Sequence, residues 1–356
     1  MSPLSHTMML MAVNQAMSGS ALLSKGRLML CNIGRLGDTI LRNSILESAC
    51  RTYAKVDYIC GRSNAELLRD DTRLNETIVF QGWLSDSFRL LISALRKSYD
   101  GFIDLKTHRS RTSLFIASLF RSQVKTGWNS DYWRPFHRDV REIYAPNQHQ
   151  TKMMQRVGRL AGLEPAEYKP SLVLTADSIN WFRQNHQRER PFIFLNISAS
   201  SPDRIWAVEK WAQYVRGCGL CEEHVLVNGI PPDRNKVDRL CGQLSTAVAF
   251  QPRQFMDVAA ALNDARLVLT VDTGIVHACS ALNKPIVALY CAGAIATEYE
   301  PLSTRRLVIR SRGSVSEMDP RQAVAETLLR GLPWVKSVEH QPANGFTERR
   351  SMAEKL

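Results

Sequence analysis

The alternation of short apolar runs with longer amphipathic runs constrains the fold of this chain more than any other feature. It begins at residue 27, where RLMLCNI is typical of a buried strand and TILRNSILESACRTY has the periodicity of a helix. The strands predicted after it are KVDYIC, TIVF, GFIDLK and QVKTGW, and the helices are SNAELLRD, SFRLLISALRKSY and RTSLFIASLF. Such an alternation predicts βα units and a parallel sheet.

The same alternation starts again near residue 192, after an aromatic and charged stretch at 128–150 that we expect to be an irregular loop. The predicted strands are FIFLNI, HVLVNG, AVAF, RLVLTV, PIVALY and RRLVIR, and the helices are AVEKWAQYVRGC, DRNKVDRLCGQL, QFMDVAAALNDA, GIVHACSALN and PRQAVAETLLRGL. Two series of similar order predict an α/β protein with two Rossmann-like, doubly wound parallel-sheet domains that face each other across a central cleft.

The length of the chain agrees with two domains, because 356 residues exceed the usual size of one. We predict a flexible N-terminal extension at 1–24, domains at 25–175 and 176–340, and a tail at 341–356. The apolar patch near the start lacks preceding basic residues, and no run approaches the roughly 20 apolar residues that span a bilayer. We therefore expect a cytoplasmic protein with reduced cysteines.

A formal charge of +12 and a pI of about 9.5 favour anionic partners, which are nucleic acid, phosphorylated substrates or an acidic membrane surface. The chain lacks the basic and aromatic pattern of RNA-binding sheets and the spacing of zinc fingers, so nucleic acid is disfavoured. Cys218 and Cys221 form a C-x-x-C pair without a second pair, which does not support a metal site.

The clearest site motif is Thr270-Val-Asp-Thr-Gly-Ile-Val-His277, where a buried strand gives way to a helix. Asp272, Thr273 and Gly274 occupy the helix start, where unpaired N–H groups and the positive dipole end attract an anion such as a diphosphate. His277 lies one turn into the helix, on the same side as Thr273. The alternative is that Asp272 or Thr273 only caps the helix and His277 packs in the core.

The loop CNIGRLGDTIL follows the first strand and contains Gly34 and Gly37, which permit a tight turn. Asp38 and Thr39 could cap the following helix, a role worth about 1 kcal/mol. A carboxylate weakens an anion-binding loop, so Asp38 is expected to face something other than the donor phosphate. A carboxylate beside a bound hydroxyl acts as a general base. We assign Arg35, Gly37 and Thr39 to the acceptor side.

The loop Ser198-Ala-Ser-Ser-Pro-Asp-Arg-Ile-Trp206 follows the first strand of the second half. It combines the hydroxyls of Ser198 and Ser200 with the cation of Arg204. Arginine binds phosphate with two hydrogen bonds and offsets charge that builds on a leaving diphosphate. The alternative is a solvated arginine in a capping loop.

Basic residues follow the strand GFIDLK: Lys106, His108, Arg109 and Arg111. At a strand end these side chains could bind an acidic acceptor, although a run of charge is also typical of a solvated helix face.

Together these motifs resemble the ADP-heptose:lipopolysaccharide heptosyltransferases, glycosyltransferase family 9, over residues 27–335. The resemblance implies the GT-B fold and an inverting, metal-independent transfer from a nucleotide-activated sugar, with no cofactor. It rests on Gly37-Asp38, the IDLK strand with its basic sequel, the KTGW run, Arg204-x-Trp206 with Trp211, and the D-T-G-x-x-H motif.

The family also implies roles for the matching residues. Asp38 corresponds to the proposed base, and Asp272, Thr273, Gly274 and His277 correspond to contacts with the donor diphosphate and sugar. Two loops that border the donor depart from the family pattern: Asn196-Ile-Ser-Ala199 stands where N-P-G-A is common, and Tyr290-Cys-Ala-Gly-Ala294 where F-G-P-T is common. The usual lysine before x-Trp is replaced here by an arginine, which keeps the charge but changes its shape.

The predicted function is transfer of a heptose from ADP-heptose to an anionic, lipid-linked inner-core acceptor of lipopolysaccharide. The N-terminal domain would bind the acceptor, the C-terminal domain the donor, and the basic surface the cytoplasmic face of the inner membrane. The alternatives are another nucleotide sugar, a protein or O-polysaccharide acceptor, or a degenerate homologue without turnover. A dehydrogenase is disfavoured because CNIGRLGD lacks the full G-x-G-x-x-G motif and Asp57 is mid-strand.

Overall fold

The computed structural model describes residues 25–82, 90, 92–186, 191–293 and 295–330. The predicted N-terminal extension and C-terminal tail lie outside the described residues, as does the beginning of the predicted helix SFRLLISALRKSY. The later part of that helix, residues 92–96, is helical as predicted.

The first half of the chain forms a six-stranded parallel sheet in the order β3-β2-β1-β4-β5-β6. The strands are β1 Lys25–Asn32, β2 Tyr53–Gly61, β3 Glu76–Phe80, β4 Tyr99–Asp104, β5 Ser122–Gly127 and β6 Arg138–Asp139. The helices are α1 Leu36–Arg42, α2 Leu46–Thr52, α3 Ala65–Leu68, α4 Arg111–Leu119 and α5 Gln150–Ala161.

Two details of this half differ from the sequence pattern. The single helix predicted after β1 is divided into α1 and α2 by a 3-10 turn at Asn43–Ile45. The predicted loop at 128–150 contains β6 and a 3-10 turn at Val140–Ile143. Both are short elements, so they leave the βα order unchanged.

The second half repeats the architecture, with the strand order β12-β11-β10-β7-β8-β9, again all parallel. Its strands are β7 Phe192–Asn196, β8 His224–Asn228, β9 Ala247–Phe250, β10 Leu267–Val271, β11 Ile286–Tyr290 and β12 Arg306–Arg310. Its helices are α6 Ala176–Asn185, α7 Val208–Gly217, α8 Arg234–Gln243, α9 Phe255–Asp264, α10 Gly274–Ala281, α11 Ile295–Glu298 and α12 Pro320–Leu329. Both sheets have the order of the Rossmann fold, which confirms two doubly wound domains.

The apolar core follows from the alternation of side chains along each strand. In β1, Leu28 and Leu30 face one cluster of buried residues, whereas Met29 and Cys31 face another. The first of these clusters covers one face of each sheet and runs between the domains through side chains of α1, α5, α9 and α10. This shared core holds the two domains together.

Polar contacts also join the domains. The Glu298 carboxylate accepts hydrogen bonds from the Asn147 backbone N–H at 3.0 Å and from Gln150 Nε2 at 3.2 Å. The Nε2–H of His149 donates to the Glu300 carbonyl at 3.1 Å. Burial lowers the pKa of His149 to about 4, so the imidazole is neutral at physiological pH.

Candidate active site

A cavity of about 480 Å³ lies between the domains, where loops that follow β1, β4, β7 and β10 meet. This is the place where open α/β sheets bind ligands. Most of the predicted site residues line it. The first domain contributes Arg35, Gly37, Asp38 and Lys106, and the second contributes Ser200, Arg204, Asp272, Thr273, Gly274 and His277.

The starts of α1 and α10 approach each other closely beside this cavity, where Gly37 faces Gly274. A Cβ atom on Gly37 would lie 2.9 Å from the Cα of Gly274 and 2.8 Å from Cδ2 of His277. Because these distances are shorter than real Cβ contacts, any other residue at position 37 would force the two helix starts apart. The close approach brings Asp38, the next residue, beside the D-T-G-x-x-H motif of the other domain.

Asp38 is the third residue of α1, and its side chain is half-buried. The helix cap is Arg35, without a side-chain capping bond, so Asp38 does not cap. The Asp38 carboxylate forms no hydrogen bond or ion pair with any other described residue. Thr39 does not cap either: its buried hydroxyl accepts from Asn32 Nδ2 at 2.9 Å and donates to the Arg35 carbonyl at 3.1 Å. Asp38 is thus available to a ligand in the cavity.

The start of α10 is capped by Thr273, whose hydroxyl accepts from the Ile275 N–H at 3.3 Å, as the capping alternative predicted. Asp272 instead forms an ion pair with Arg204, at 3.0 Å between Oδ2 and Nη1. Burial raises the pKa of Asp272, and Arg204 opposes that rise. A guanidinium has five N–H donors, so Arg204 retains donors for a ligand while it is paired.

His277 is packed in the protein, as one of the two predicted alternatives states, and it also lines the cavity. Its side chain is 5% exposed, and its Nδ1 has no hydrogen-bond partner among the described residues. Burial lowers the pKa of His277 to about 3, and His149 contributes to the decrease. The ring lies 5.9 Å from that of Tyr299. A neutral imidazole in this place can hydrogen-bond a bound sugar or phosphate but carries no charge.

The wall around Asp38 is cationic. Burial lowers the pKa of His108, and Arg42 and Lys106 lower it further, whereas Asp38 raises it. Burial likewise raises the pKa of Tyr299 to about 12, and the Asp38 carboxylate is the next cause. Asp38 lines the cavity together with Arg42, Lys106, His108 and Tyr299.

Four predicted site residues do not line the cavity. Ser198 is buried, where its hydroxyl donates to Asp233 Oδ2 at 2.5 Å and accepts from the Ile230 N–H at 2.9 Å. These bonds hold the loop after β7. The other three are Thr39, which fixes α1 to β1, and the exposed Arg109 and Arg111.

The comparisons with known proteins identify the family. The family model described as glycosyltransferase family 9 (heptosyltransferase) matches residues 88–325, which is more than half of the chain. The chain belongs to this family. It is therefore a glycosyltransferase, and the family resemblance predicted from the sequence is confirmed.

Solved structures are similar to this chain in fold. A family 9 glycosyl transferase from Veillonella parvula is 20% identical, with 88% of this chain and 99% of that chain covered and a TM-score of 0.74. ADP-heptose lps heptosyltransferase II from E. coli is 18% identical, with 84% and 97% covered and a TM-score of 0.67. E. coli heptosyltransferase WaaC, solved with ADP-2-deoxy-2-fluoro heptose, is 18% identical, with 84% and 99% covered and a TM-score of 0.64. The likeness confirms the GT-B fold. No curated protein sequence gives a significant match.

Sequence reasoning missed two polar residues of the glycosyltransferase cavity, Arg42 and Tyr299. Arg42 had a signal, because it lies four residues after Asp38 and so on the same face of α1. Tyr299 had none, since it comes from a distant loop. The loop that departs from the family pattern holds it: Tyr290 Oη donates to the Tyr299 carbonyl at 2.8 Å.

Three other predictions concern features away from the cavity. Asp57 lies mid-strand in β2, where its oxygens accept hydrogen bonds from Arg27, Asn75 and Tyr99, so it is not available at the strand end for a ribose. The eight cysteines are free thiols. Within the described ranges, no group of three or more His, Cys, Asp or Glu side chains could hold a metal ion, and no helix is long and apolar enough to cross a membrane.

Proposed function

We propose that this glycosyltransferase moves a heptose from ADP-heptose to an anionic inner-core acceptor of lipopolysaccharide, with inversion and without a metal. One observation carries the proposal: the carboxylate of Asp38, without a protein partner among the described residues, lies across a narrow gap from the D-T-G-x-x-H helix start. A base and an anion site face each other at that gap.

The acceptor hydroxyl would bind beside Asp38. As its oxygen attacks the anomeric carbon, Asp38 takes the proton, and the bond from that carbon to the diphosphate breaks with its electron pair leaving on the phosphate oxygen. Attack on the face opposite the leaving group inverts the anomeric configuration.

The leaving diphosphate would bind at the start of α10. The N–H groups around Gly274 and the positive dipole end attract it, and Arg204 offsets the charge that develops. His277 is close enough to Gly37 to sit in the same gap and would donate or accept a hydrogen bond at the donor. These groups would stabilise the leaving diphosphate without a metal, with the Arg204 guanidinium shared between the diphosphate and Asp272.

The donor class is supported by the relatives: one is described as an ADP-heptose lps heptosyltransferase, and another is solved with an ADP-heptose analogue. The acceptor is supported by Arg35 and Lys106 on the Asp38 wall and by the net charge of +12. A basic protein of this kind would act in the cytoplasm, at the anionic face of the inner membrane, with domain 25–175 toward the acceptor and domain 176–340 toward the donor.

A second candidate is transfer from another nucleotide sugar, or to a protein or O-polysaccharide acceptor. The observation that favours it is that both loops bordering the donor, Asn196–Ala199 and Tyr290–Ala294, differ from the common family residues. In this candidate Asp38 and the α10 start keep their roles.

The test is an assay with ADP-heptose and its GDP and UDP counterparts, each with purified inner-core acceptor and with a chelator present. We expect transfer from ADP-heptose alone, with an inverted anomeric centre in the product by NMR. Transfer from a GDP- or UDP-sugar instead would establish the second candidate. Loss of turnover in the chelator, or retention of configuration, would contradict the mechanism.

A further inference from the structure

Arg42 is a buried cation that forms no ion pair with any described residue. It is the last residue of α1, it is 2% exposed, and it lines the cavity. Its Nη1 donates to Asn32 Oδ1 at 3.0 Å, but its Nε has no partner, and no carboxylate oxygen of the described residues lies within 4 Å. Arginine is almost never buried unless it is paired, because desolvating a charge is costly. Such a cation at a ligand cavity indicates that the ligand supplies the anion.

Two carboxylates lie near Arg42, namely Asp38 one turn earlier on α1 and the buried Asp104, but neither forms an ion pair with its guanidinium. The Asp104 carboxyl is buried nearby, and burial raises its pKa to about 6. The charge of Lys106 opposes that rise most strongly, and the charge of Arg42 opposes it more weakly. Lys106 itself lines the same wall, and its Nζ donates to Ser110 Oγ at 3.0 Å. Arg42 and Lys106 thus share one part of the cavity with the Asp38 and Asp104 carboxyl groups, without an ion pair to either among the described residues.

The donor diphosphate is not the anion that this position fits best. Arg42 belongs to the wall that carries Asp38, whereas the diphosphate is assigned to the α10 start and Arg204 on the opposite wall. Residues four apart on a helix have Cβ atoms about 5–6 Å apart. An anion at Arg42 and a hydroxyl at Asp38 are therefore close enough to belong to a single sugar.

We propose that Arg42, with Lys106, binds the acid group of the acceptor sugar whose hydroxyl is attacked, either a carboxylate or a phosphate. This assignment rests on the proposed function. Arg42 is then a specificity-determining residue: it selects acceptors with an anion one helical turn from the reactive hydroxyl, and it orients that hydroxyl toward Asp38.

The experiment compares native acceptor with acceptor whose carboxylates are methylated and with acceptor that is dephosphorylated. Wild type should lose about 30-fold or more in kcat/KM with one of the two modified acceptors, which identifies the acid group. With native acceptor, the kcat/KM of Arg42→Gln should be lower than that of wild type by a similar factor. With the acceptor that lacks the identified acid group, its kcat/KM should fall no further. Arg42→Lys should recover part of the loss, and the exposed Arg69→Gln should behave as wild type.

Two outcomes would overturn the proposal. One is that wild type has the same kcat/KM with both modified acceptors as with the native one, or that modification of the acceptor lowers kcat/KM by the same factor in Arg42→Gln and in wild type. The other is that Arg42→Gln is unstable, and that Arg42→Gln/Asp104→Asn restores both stability and kcat/KM, since Arg42 would then serve only as a counter-charge for Asp104. The comparison of native and modified acceptors with the wild-type enzyme can be made even if a variant fails to fold.

A binding measurement separates this proposal from the proposed function. If wild type does not transfer from ADP-heptose at all, the proposed function fails, and Arg42 is tested with inorganic phosphate as the probe. Thermal unfolding is followed in saturating ADP as phosphate is added. Phosphate should raise the melting temperature of wild type and Arg69→Gln but not of Arg42→Gln. An equal rise in all three would overturn the assignment of an anion site to Arg42.

Discussion

The close approach of the two helix starts predicts a specific sensitivity at Gly37. In Gly37→Ala the new methyl carbon would lie 2.9 Å from the Cα of Gly274, whereas ordinary contacts begin near 3.4 Å. The obstacle is backbone as well as the His277 ring, so side-chain rotation alone cannot relieve the contact. The domains must separate by about 0.5 Å at this point, which follows from the difference between those distances.

The separation acts where the reaction is proposed to occur. A misplacement of about 1 Å at an active site costs on the order of 100-fold in rate, so half of that distance should cost about tenfold. Overpacking costs about 1–3 kcal/mol, and the better helix propensity of alanine returns up to about 1 kcal/mol. We therefore expect a modest loss of stability and a larger proportional loss of turnover.

The assay measures kcat and thermal unfolding of Gly37→Ala beside a matched control. Gly242, near the end of α8, has an ordinary helical backbone, and no heavy atom lies within 4 Å of the position that an added methyl carbon would occupy. Gly242→Ala should therefore keep full turnover and gain about 0.5–1 kcal/mol. Wild-type kcat and melting temperature in Gly37→Ala would contradict this prediction, because the two helix starts would then not be in contact.

Two further predictions follow from the charges. Burial lowers the pKa of His149 from 6.5 to about 4, so this group binds a proton in the unfolded chain at a higher pH than in the folded one. The contribution of His149 to the free energy of unfolding, about 3 kcal/mol, is complete above pH 6.5 and is lost as the pH falls toward 4. Chemical denaturation at a series of pH values should therefore show a smaller loss of stability in acid for His149→Gln than for wild type. An equal loss in the two proteins would contradict this prediction. Arg204→Ala should lower kcat while KM stays nearly constant, and a change confined to KM would remove its role at the leaving group.

Eleven of the twelve strands in the described residues could be predicted from the sequence because each is a short run between turn signals, whereas the two-residue β6 fell in the predicted loop. The division of the helix after β1 could not. Its periodicity continues through residue 43, but the Asn43 side chain accepts a hydrogen bond from Tyr58 of β2 at 2.9 Å. This contact with another element is invisible to local periodicity, and the chain forms a 3-10 turn there.

The candidate site shows the same division between local and long-range information. The D-T-G-x-x-H motif marks a strand end and a helix start, so its place in the cleft followed from the pattern. The contact of Gly37 with Gly274, and the position of Tyr299 near Asp38, depend on how the domains pack. The pattern also could not show that the Ser198 hydroxyl donates to Asp233, or that Arg42 forms no ion pair with any carboxylate in the described part of the chain.

The proposed role of Asp38 as the general base is tested by the turnover of Asp38→Asn with ADP-heptose and inner-core acceptor. The substitution is nearly isosteric, and loss of the charge at the helix start costs only about 0.3–1 kcal/mol, so the variant should fold and bind ADP as wild type does. Its kcat should fall by about 100-fold to 10,000-fold, which is the usual contribution of a general base. A kcat close to wild type, with the variant folded and saturated by both substrates, would contradict the assignment of Asp38 as the base.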